Sequence, residues 1–224
     1  MSRGYFVTGT DTGVGKTLVS AALLHAFAAQ DLRVVGMKPV AAGCEWHDGE
    51  PYWEDVAQLQ AESNVDVPLA LRNPYRFDPP IAPHIAASQA GTRIDLAVIH
   101  RGYTDLQNHA DIIIVEGAGG FYVPLNESDT MADLAQQLAL PVILVVGMRL
   151  GCINHALLTV QAILNQGLVL AGWVANQLDP DMLVREDNLA TLQHHITAPL
   201  LGILPFQPSV DATEAALRLQ IDRL

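Results

Sequence analysis

Residues 9–17 have the composition of a phosphate-binding loop. They read Gly-Thr-Asp-Thr-Gly-Val-Gly-Lys-Thr, and they lie between an apolar run that starts at Tyr5 and a helix-length segment that starts at Leu18. Backbone N–H groups of a glycine-rich loop and of a helix N-terminus point at bound anions. Lys16 would then reach the β- and γ-phosphates of a nucleotide, and the Thr17 hydroxyl would bind Mg²⁺. The pattern predicts a nucleotide site, with an ordinary strand-to-helix turn as the alternative.

The loop departs from the strict pattern G-x-x-x-x-G-K-[ST] at one position. Thr10 stands where the first glycine is expected, and Gly9 lies one residue too early. A Gly-Lys-Thr tripeptide alone is common by chance. The prediction therefore depends on the place of the loop, directly after the first strand of a parallel sheet.

An acidic residue that follows four apolar residues is the second chemical signal. Residues 111–120 read Asp-Ile-Ile-Ile-Val-Glu-Gly-Ala-Gly-Gly. We predict that Glu116 ends a strand beside the phosphate loop and helps to hold Mg²⁺, a hard cation that prefers oxygen ligands. The glycines that follow would let the backbone approach a phosphate. Strands that happen to end in an acid are frequent, but together with the phosphate loop the metal-holding role is favoured.

Lys38 ends another strand-like run and precedes Pro39. A cation beside a phosphate loop would neutralise charge on a transferring phosphoryl group. A solvated lysine at a strand terminus would explain the spacing equally well.

The elements that must position these residues alternate along the chain. Apolar runs of strand length occur at 5–9, 33–38, 111–116, 141–147, 170–176 and 200–205. Helix-length segments occur at 16–30, 56–62, 95–109, 131–138, 153–166, 181–196 and 210–224. Strands that are apolar on both faces are typical of a parallel sheet covered on both sides. We predict one α/β domain over residues 1–224, a single doubly wound parallel sheet with helices on both faces, in which residues just after the strands carry the chemistry.

Residues 64–84 are the one long irregular stretch, and they contain five prolines. The stretch is too apolar for a free linker. We expect an ordered excursion over the active face that does not separate two domains.

Composition argues for a folded chain and against two classes of partner. Half of the 224 residues are hydrophobic and 16% are charged, which is typical of a folded chain. The 24 acidic residues outnumber the 12 basic ones, and the formal charge of −12 argues against nucleic acid and anionic membranes as main partners.

The cellular location follows from three weaker signals. Cys44 and Cys152 form no disulfide framework, and a strand that starts at Tyr5 leaves no room for a signal peptide. The longest apolar run, 138–148, is too short to span a bilayer. We therefore expect a cytoplasmic protein.

Taken together, these motifs resemble one family over nearly the whole chain: dethiobiotin synthetase, an ATP-dependent ligase of biotin biosynthesis with the P-loop NTPase fold. The strings Gly-Cys-Ile-Asn-His at 151–155 and Gly-Trp-Val-Ala-Asn at 172–176 are more specific than any phosphate loop. The other matching segments are 5–12, 15–17, 38–40, 73–75, 83–84, 115–120, 140–147 and 198–202.

The resemblance implies substrates and roles that spacing alone does not show. The substrates would be 7,8-diaminopelargonic acid, CO₂ and ATP, and the enzyme would be a Mg²⁺-dependent homodimer. Asp55 would join Thr17 and Glu116 as a Mg²⁺ ligand, and Lys38 and Lys16 would be catalytic. The implied nucleotide contacts are Gly13, Val14, Gly15, Lys16, Thr17, Leu18, Asp55, Glu116, Gly117, Ala118 and Gly119, with Asn176, Gln177, Pro205, Phe206 and Gln207 around adenine.

For the second substrate, the resemblance implies that Thr12 and Ala42 face the carbamate. Asn154 would bind the carboxylate tail of the substrate from the second subunit. Two positions depart from the family pattern: Ala42 stands where relatives often have Ser or Thr, and Gly13 where some have Glu. These departures imply fewer polar contacts to the substrate and leave phosphate and metal binding unchanged.

Three other functions compete with this one. One is a nucleotide-driven switch, either a partitioning ATPase or a GTPase. Partitioning ATPases carry an extra lysine early in the phosphate loop, where this chain has Thr10 and Asp11. For a GTPase, residues 176–179, Asn-Gln-Leu-Asp, resemble the guanine-binding Asn-Lys-x-Asp, with Gln in place of Lys. A ligase that acts on a different small acid is the nearer alternative. A zinc site at Cys44 and His47 lacks a second pair of ligands at suitable spacing.

Overall fold

Ten strands and nine α-helices make up the parts of the chain that this computed structural model describes, residues 2–206 and 211–224. The strands are β1 Arg3–Gly9, β2 Val34–Met37, β3 Val40–Ala42, β4 Glu45–His47, β5 Glu50–Tyr52, β6 Tyr75–Phe77, β7 Ile112–Gly120, β8 Val142–Met148, β9 Leu170–Gln177 and β10 Leu200–Leu204. The helices are α1 Lys16–Ala28, α2 Glu54–Ala61, α3 Leu69–Arg72, α4 Pro83–Gln89, α5 Leu96–Leu106, α6 Met131–Leu138, α7 Cys152–Asn165, α8 Arg185–His195 and α9 Ala212–Ala216.

Six of the strands form one sheet in the order β10–β9–β8–β1–β7–β2, and every neighbouring pair is parallel. All six predicted strands are present, and the predicted parallel sheet is confirmed. From β1 the chain crosses to the edge strand β2, and it later returns to fill the other side with β8. β1 therefore lies where the strand order reverses, the position at which open α/β sheets bind ligands.

The apolar runs are continuous because both faces of the sheet are buried. In β1, Phe6 belongs to one hydrophobic cluster, while Tyr5 and Val7 belong to the cluster on the opposite face. In β7, Ile113 and Ile114 divide in the same way. A strand covered on one face only would alternate apolar and polar residues.

Helices cover each of these faces, which confirms the doubly wound architecture. Side chains of α1, α2 and α9 pack into the cluster that contains Tyr5. Side chains of α5 and α6 pack into the cluster that contains Phe6. The α7 and α8 side chains cover the same face of the sheet further along, over Leu144 and Val146.

The irregular stretch 64–84 is ordered, as predicted, but it contains the short helix α3 and the strand β6. β6 pairs in parallel with β3, which continues the chain beyond β2. The hairpin β4–β5 was not predicted from the sequence either. Three-residue strands are too short to show a period of two residues.

The predicted closing helix over 210–224 is wrong in extent. α9 ends at Ala216, and a 3₁₀ turn follows at Ile221–Arg223. Between them the Gln220 N–H donates to the Leu201 carbonyl at 2.7 Å, so the backbone leaves the helix to bond with β10. Val210 lies outside the described residues. No helix in the described ranges has the length and hydropathy needed to cross a bilayer.

Candidate active site

The phosphate-loop sequence forms a tight turn between β1 and α1. Gly15 precedes the helix with φ of 90°, a left-handed conformation that glycine adopts without strain. A Cβ atom at Gly15 would also collide with the side-chain amide of Asn176. No side chain caps α1, so its first N–H groups remain available to an anion.

Hydrogen bonds tie this loop to the neighbouring strands. The Thr10 hydroxyl accepts from the Gly147 N–H at 3.3 Å, and the Thr10 N–H donates to the Val145 carbonyl at 3.0 Å. The side-chain amide of Asn176 donates to the Val14 carbonyl at 2.9 Å. Thr10, the departure from the strict pattern, therefore serves to attach the loop to β8.

A cavity of about 670 Å³ opens beside the loop. Its lining residues come from the loop, from β7, and from the chain beyond β2. They are Thr12, Gly13, Gly15, Lys16, Thr17, Lys38, Ala42, Asp55, Pro80, Ile81, Ala82, Pro83, Glu116, Ala118, Gly119 and Val123. Eleven of these sixteen were predicted as site residues from the sequence, and the structure brings them together.

Some predicted nucleotide contacts lie behind the cavity instead of on its wall. Val14 is buried in the core beneath the loop, and Leu18 packs against the same cluster. Gly117 is buried under Glu116, and its carbonyl lies 3.4 Å from the Lys38 Nζ. Asn176 lies under the loop, where its amide is already engaged.

The predicted adenine segment lies near the end of β9. The Gln177 side-chain oxygen accepts from the Phe206 N–H at 3.4 Å and from Arg185 at 3.2 Å. Pro205 is half-buried beside them, and Gln207 lies outside the described residues. Asn154 is exposed on the first turn of α7 and does not line the cavity.

Glu116 and Lys38 form a buried ion pair at the base of the cavity. The Lys38 Nζ lies 2.6 Å from the Glu116 Oε1 and 2.9 Å from the Asp55 Oδ2. Glu116 is 0% exposed and Lys38 is 6% exposed. Burial would lower the pKa of Lys38, but the two carboxylates outweigh it and raise that pKa above its ordinary value. Lys38 is therefore a paired, buried cation, and the solvated-lysine interpretation is wrong.

The two carboxylates come from different elements. β7 does not end at Glu116, as the sequence suggested, but continues to Gly120. Between Glu116 and Gly120 it bulges away from β1, and Gly119 takes up a φ of 66° that suits glycine. Asp55 lies in the first turn of α2, and its Oδ1 accepts from the Val56 N–H.

The oxygen atoms around Glu116 suit a hard divalent cation. The Thr17 hydroxyl donates to the Glu116 Oε1 at 2.9 Å. The Glu116 Oε2 is buried and has no hydrogen-bond partner among the described residues. A buried carboxylate oxygen without a partner is unfavourable unless a ligand satisfies it. Mg²⁺ in nucleotide sites takes one or two carboxylates and completes its shell with phosphates and water, which this donor set allows.

The zinc alternative gains no support from the described part of the chain. No group of three or more His, Cys, Asp or Glu side chains within residues 2–206 and 211–224 is arranged to hold a metal ion. Cys44 lies beside Asp78, and partial burial raises the pKa of its thiol. A thiol that stays protonated is a poor zinc ligand.

Lys16 has a different environment from Lys38. It is 7% exposed, and its Nζ donates to the Asp11 carbonyl at 2.9 Å. Burial, and then the charge of Lys38, lower the pKa of Lys16 to about 8. The Asp11 carboxylate pairs with Arg149 at 2.6 Å. Lys16 is thus a buried cation that lacks a close anionic partner in the described structure.

Two features of the site were missed from the sequence. One is the apolar wall of the cavity, formed by Pro80, Ile81, Ala82 and Pro83. The proline-rich composition of residues 64–84 predicted only that this stretch covers the active face. Asn73 lies below Lys38 and holds its backbone, a contact between residues 35 positions apart that no local pattern indicates.

The arrangement can do a specific kind of chemistry. Two lysines, two threonines and two acidic residues line one cavity at the N-terminus of α1. Fixed cations and free N–H groups stabilise the charge on phosphoryl oxygens, while the carboxylates can hold a divalent cation. The apolar wall leaves room for a small organic substrate beside the phosphates.

Solved structures with the same architecture are P-loop proteins. The septum site-determining protein MinD complexed with Mg-ADP from Pyrococcus horikoshii OT3 has a TM-score of 0.59, with 97% of this chain and 87% of that chain covered at 16% identity. The MinC:MinD cell division protein complex of Aquifex aeolicus has a TM-score of 0.56, with 96% and 86% covered at 19% identity. At these identities the likeness shows the P-loop NTPase fold and nothing further.

Sequence comparisons are more specific. A family described as an AAA domain matches residues 3–214. The ATP-dependent dethiobiotin synthetase BioD of Nitrosospira multiformis is 56% identical over 100% of this chain and 97% of its own length. The enzyme of the same name from Aromatoleum aromaticum is 53% identical over 98% of this chain and 97% of its own length. The resemblance inferred from the motifs is confirmed, and the chain belongs to the family of ATP-dependent dethiobiotin synthetases.

Proposed function

We propose that this chain catalyses the ATP-dependent closure of a cyclic urea on 7,8-diaminopelargonic acid, with CO₂ as the carbon source, and so forms dethiobiotin for biotin biosynthesis. The observation that carries the proposal is the single cavity in which Lys16, Lys38 and Glu116 meet at the phosphate loop. The whole reaction is assigned to one domain over residues 1–224, located in the cytoplasm.

The reaction has three steps. One amine of the substrate attacks CO₂, loses a proton and becomes a carbamate. A carbamate oxygen then attacks the γ-phosphorus of ATP, and ADP leaves as a carbamic–phosphoric anhydride forms. The second amine attacks the carbonyl carbon of this anhydride and expels inorganic phosphate, which closes the five-membered ring.

The lysines and the loop stabilise the phosphoryl group in the second step. The free N–H groups of the loop and of α1 would bind the phosphates of ATP, and Lys16 would neutralise the β- and γ-phosphates. Lys38 would act on the charge shared between the phosphoryl and carbamate oxygens as transfer proceeds. Thr12 and Ala42, which line the same cavity, would lie beside the carbamate.

Mg²⁺ fits the site as a cofactor. Thr17, Asp55 and Glu116 would hold it, and the bound ion would neutralise phosphate charge. Because Lys38 lies between both carboxylates, its ammonium group balances one of their two negative charges in the free protein. Lys38 and the metal ion therefore share the same anionic partners.

The adenine contacts proposed for Asn176, Gln177, Pro205, Phe206 and Gln207 place the base beyond the loop, at the end of β9. Two observations support this placement. Asn176 already contacts the loop backbone. Gln177 contacts the Phe206 N–H, so the end of β9 and the residues that follow β10, which would flank the base, lie together. Polar groups at the end of β9 that are not engaged in these hydrogen bonds would recognise the edge of the adenine ring.

An omission assay tests the proposed reaction. We expect phosphate release only when ATP, Mg²⁺, bicarbonate and 7,8-diaminopelargonic acid are all present, because the γ-phosphoryl group is transferred to the carbamate and is released only when the second amine closes the ring. Release that is independent of the diamine would favour the nucleotide-switch alternative. Release that requires a different diamine or amino acid would favour the related-ligase alternative.

Asp55→Asn is expected to raise the Mg²⁺ concentration needed for half-maximal activity by roughly tenfold, since a neutral amide is a poorer ligand for a hard cation. Titration of activity against Mg²⁺ at fixed ATP measures this shift. Glu54→Gln is the matched control, because Glu54 lies in the same first turn of α2 but is exposed and does not line the cavity. An unchanged titration curve for Asp55→Asn would remove Asp55 from the metal site.

The proposed homodimer is supported by the surface around Asn154. Leu150, just before α7, is 94% exposed, and Leu158 on α7 and Leu183 before α8 are also largely exposed. Large apolar side chains exposed on a surface are typical of a contact with another protein. In the proposed homodimer a second subunit covers them, and the resemblance to the family implies that its Asn154 reaches the site of its partner.

Mixing two inactive variants tests whether the site is shared between subunits. In a dimer of one Asn154→Ala chain and one Lys16→Met chain, one of the two sites keeps both Lys16 and the Asn154 of its partner. After random exchange of subunits, about a quarter of all sites should be intact. Activity near this fraction of wild type is the expected result. Absence of rescue in verified mixed dimers would show that each site is complete within one chain.

A further inference from the structure

The edge strand β2, which leads to Lys38, is held by an asparagine at each end. At its start, the Asn64 side chain donates to the Leu32 carbonyl at 2.8 Å and accepts from the Val34 N–H at 2.7 Å. At its end, the Asn73 amide donates to the Lys38 carbonyl at 2.6 Å. The two asparagines belong to the same excursion of the chain, which therefore fixes β2 along its outer edge.

Sheet pairing ends before Lys38. β2 pairs with β7 only as far as Met37 opposite Val115. Beyond that point the Lys38 N–H donates to the Arg72 carbonyl at 2.8 Å, and the Lys38 carbonyl accepts from Asn73. Both backbone groups of Lys38 are thus held by residues 72 and 73, and neither is held by the sheet.

Asn73 is itself rigidly placed. It is 1% exposed, and its N–H donates to the Leu69 carbonyl at 2.7 Å. Its amide nitrogen also donates to the Tyr75 carbonyl at 3.2 Å. Since both partners are carbonyls, only the NH₂ group can lie on this side, so the orientation of the amide is determined.

We propose that Asn73 is a positioning residue for phosphoryl transfer, which acts by fixing the backbone from which the Lys38 ammonium reaches the reacting oxygens. Lys38 has a long, flexible side chain, and its charge is effective only where charge develops in the transition state. Pro39 restricts the backbone that follows Lys38, and the Asn73 amide fixes the Lys38 carbonyl in that same peptide unit. The inference rests on the catalytic role proposed for Lys38.

The alternative is that Asn73 only stabilises the fold. Its contact with the Lys38 backbone would then matter no more than that of Asn64 at the other end of β2. The two roles differ in what they do to the rate. A positioning residue lowers kcat through Lys38, whereas a structural residue lowers the population of folded enzyme.

A double-mutant cycle with Lys38 separates these roles. Asn73→Ala and Asn73→Leu both remove the donor, and the leucine variant keeps the buried volume. In the otherwise unchanged enzyme each is expected to lower kcat by about 10- to 100-fold, with KM for ATP changed by less than about threefold, as a displaced catalytic group does. In the Lys38→Met background, measured at high enzyme concentration, the same changes should lower kcat by less than about threefold.

Asn64→Ala is the matched control, because it removes an amide-to-carbonyl bond from the other end of the same strand. It should leave kcat within about twofold of wild type after correction for the folded fraction, which thermal unfolding gives. Equal losses of kcat from Asn73→Leu with and without Lys38 would overturn the proposal, as would an equal loss from Asn64→Ala. Full activity of Lys38→Met alone would instead overturn the catalytic role of Lys38.

Discussion

Lys16→Met is expected to reduce kcat/KM for ATP by about 10³-fold or more, since it removes a buried cation that the phosphates would meet. The same substitution is expected to make the nucleotide-free protein more stable. Steady-state kinetics and thermal unfolding of the same preparation measure the two effects. A substitution that lowers activity and raises stability is characteristic of a functional residue whose environment destabilises the folded protein.

The sign of the stability change follows from the pKa of Lys16. In the folded protein it is lowered from 10.5 to about 8, first by burial and then by the charge of Lys38. Between these two values the unfolded chain holds a proton that the folded protein has released, so stability rises with pH across this interval. Below pH 8 the folded protein carries the full penalty, on the order of 3 kcal/mol. Methionine removes it, which corresponds to a melting temperature higher by about 6 to 12 °C for a chain of this size.

The lowered pKa also predicts the pH dependence of ATP binding. The phosphates of ATP favour the charged form of Lys16. Above the pKa of Lys16 the free protein has lost this proton, and Lys16 must take it up again when ATP binds. Affinity for ATP should be constant below about pH 8 and should fall as pH rises above that value. Calorimetric titration from pH 6.5 to 9.5 measures this, and in Lys16→Met the decline should be absent. A wild-type-like affinity and a lower melting temperature in this variant would contradict the environment described for Lys16.

Much of the fold could be predicted from the sequence because strands buried on both faces are apolar at every position. Runs such as 112–115 and 142–146 are apolar at every position, and only a strand covered on both faces requires this. The order of strands and helices then fixed the architecture, and the loop at 9–17 fixed the edge of the sheet that carries the chemistry. Lys16, Thr17 and Glu116 were found because each directly follows or lies within such an element.

The remainder of the site depends on contacts between distant parts of the chain. Asp55 reaches Lys38 from the first turn of α2, and only the family resemblance indicated it. Asn73 holds Lys38 from a stretch whose composition predicts no regular structure. The opposite environments of the two lysines are also invisible in the sequence, because pairing and burial depend on where Glu116 and Asp55 lie in space.

Because Lys38 is paired with two carboxylates, its replacement is expected to have a second large effect, on both rate and stability. Lys38→Met is expected to lower kcat by about 10²- to 10³-fold with much smaller changes in the KM values for ATP and the diamine, because the charge that Lys38 meets develops during transfer. Lys38→Arg should restore only part of this rate. A planar guanidinium cannot replace a compact ammonium group between Asp55 and Glu116. Initial rates over a matrix of both substrate concentrations separate kcat from KM.

Unlike Lys16→Met, the Lys38→Met variant should be less stable than wild type. Glu116 is 0% exposed, and its Oε2 has no hydrogen-bond partner in the described structure. Without Lys38 the negative charge of this buried carboxylate would lose its ion-pair partner at Oε1 as well. Loss of one member of a buried ion pair typically destabilises a protein by about 3 to 5 kcal/mol. Glu116→Gln in the Lys38→Met background should recover part of the loss, because it removes the uncompensated charge. If Lys38→Met raised KM at constant kcat, Lys38 would bind the ground state, and the role assigned to it in phosphoryl transfer would be wrong.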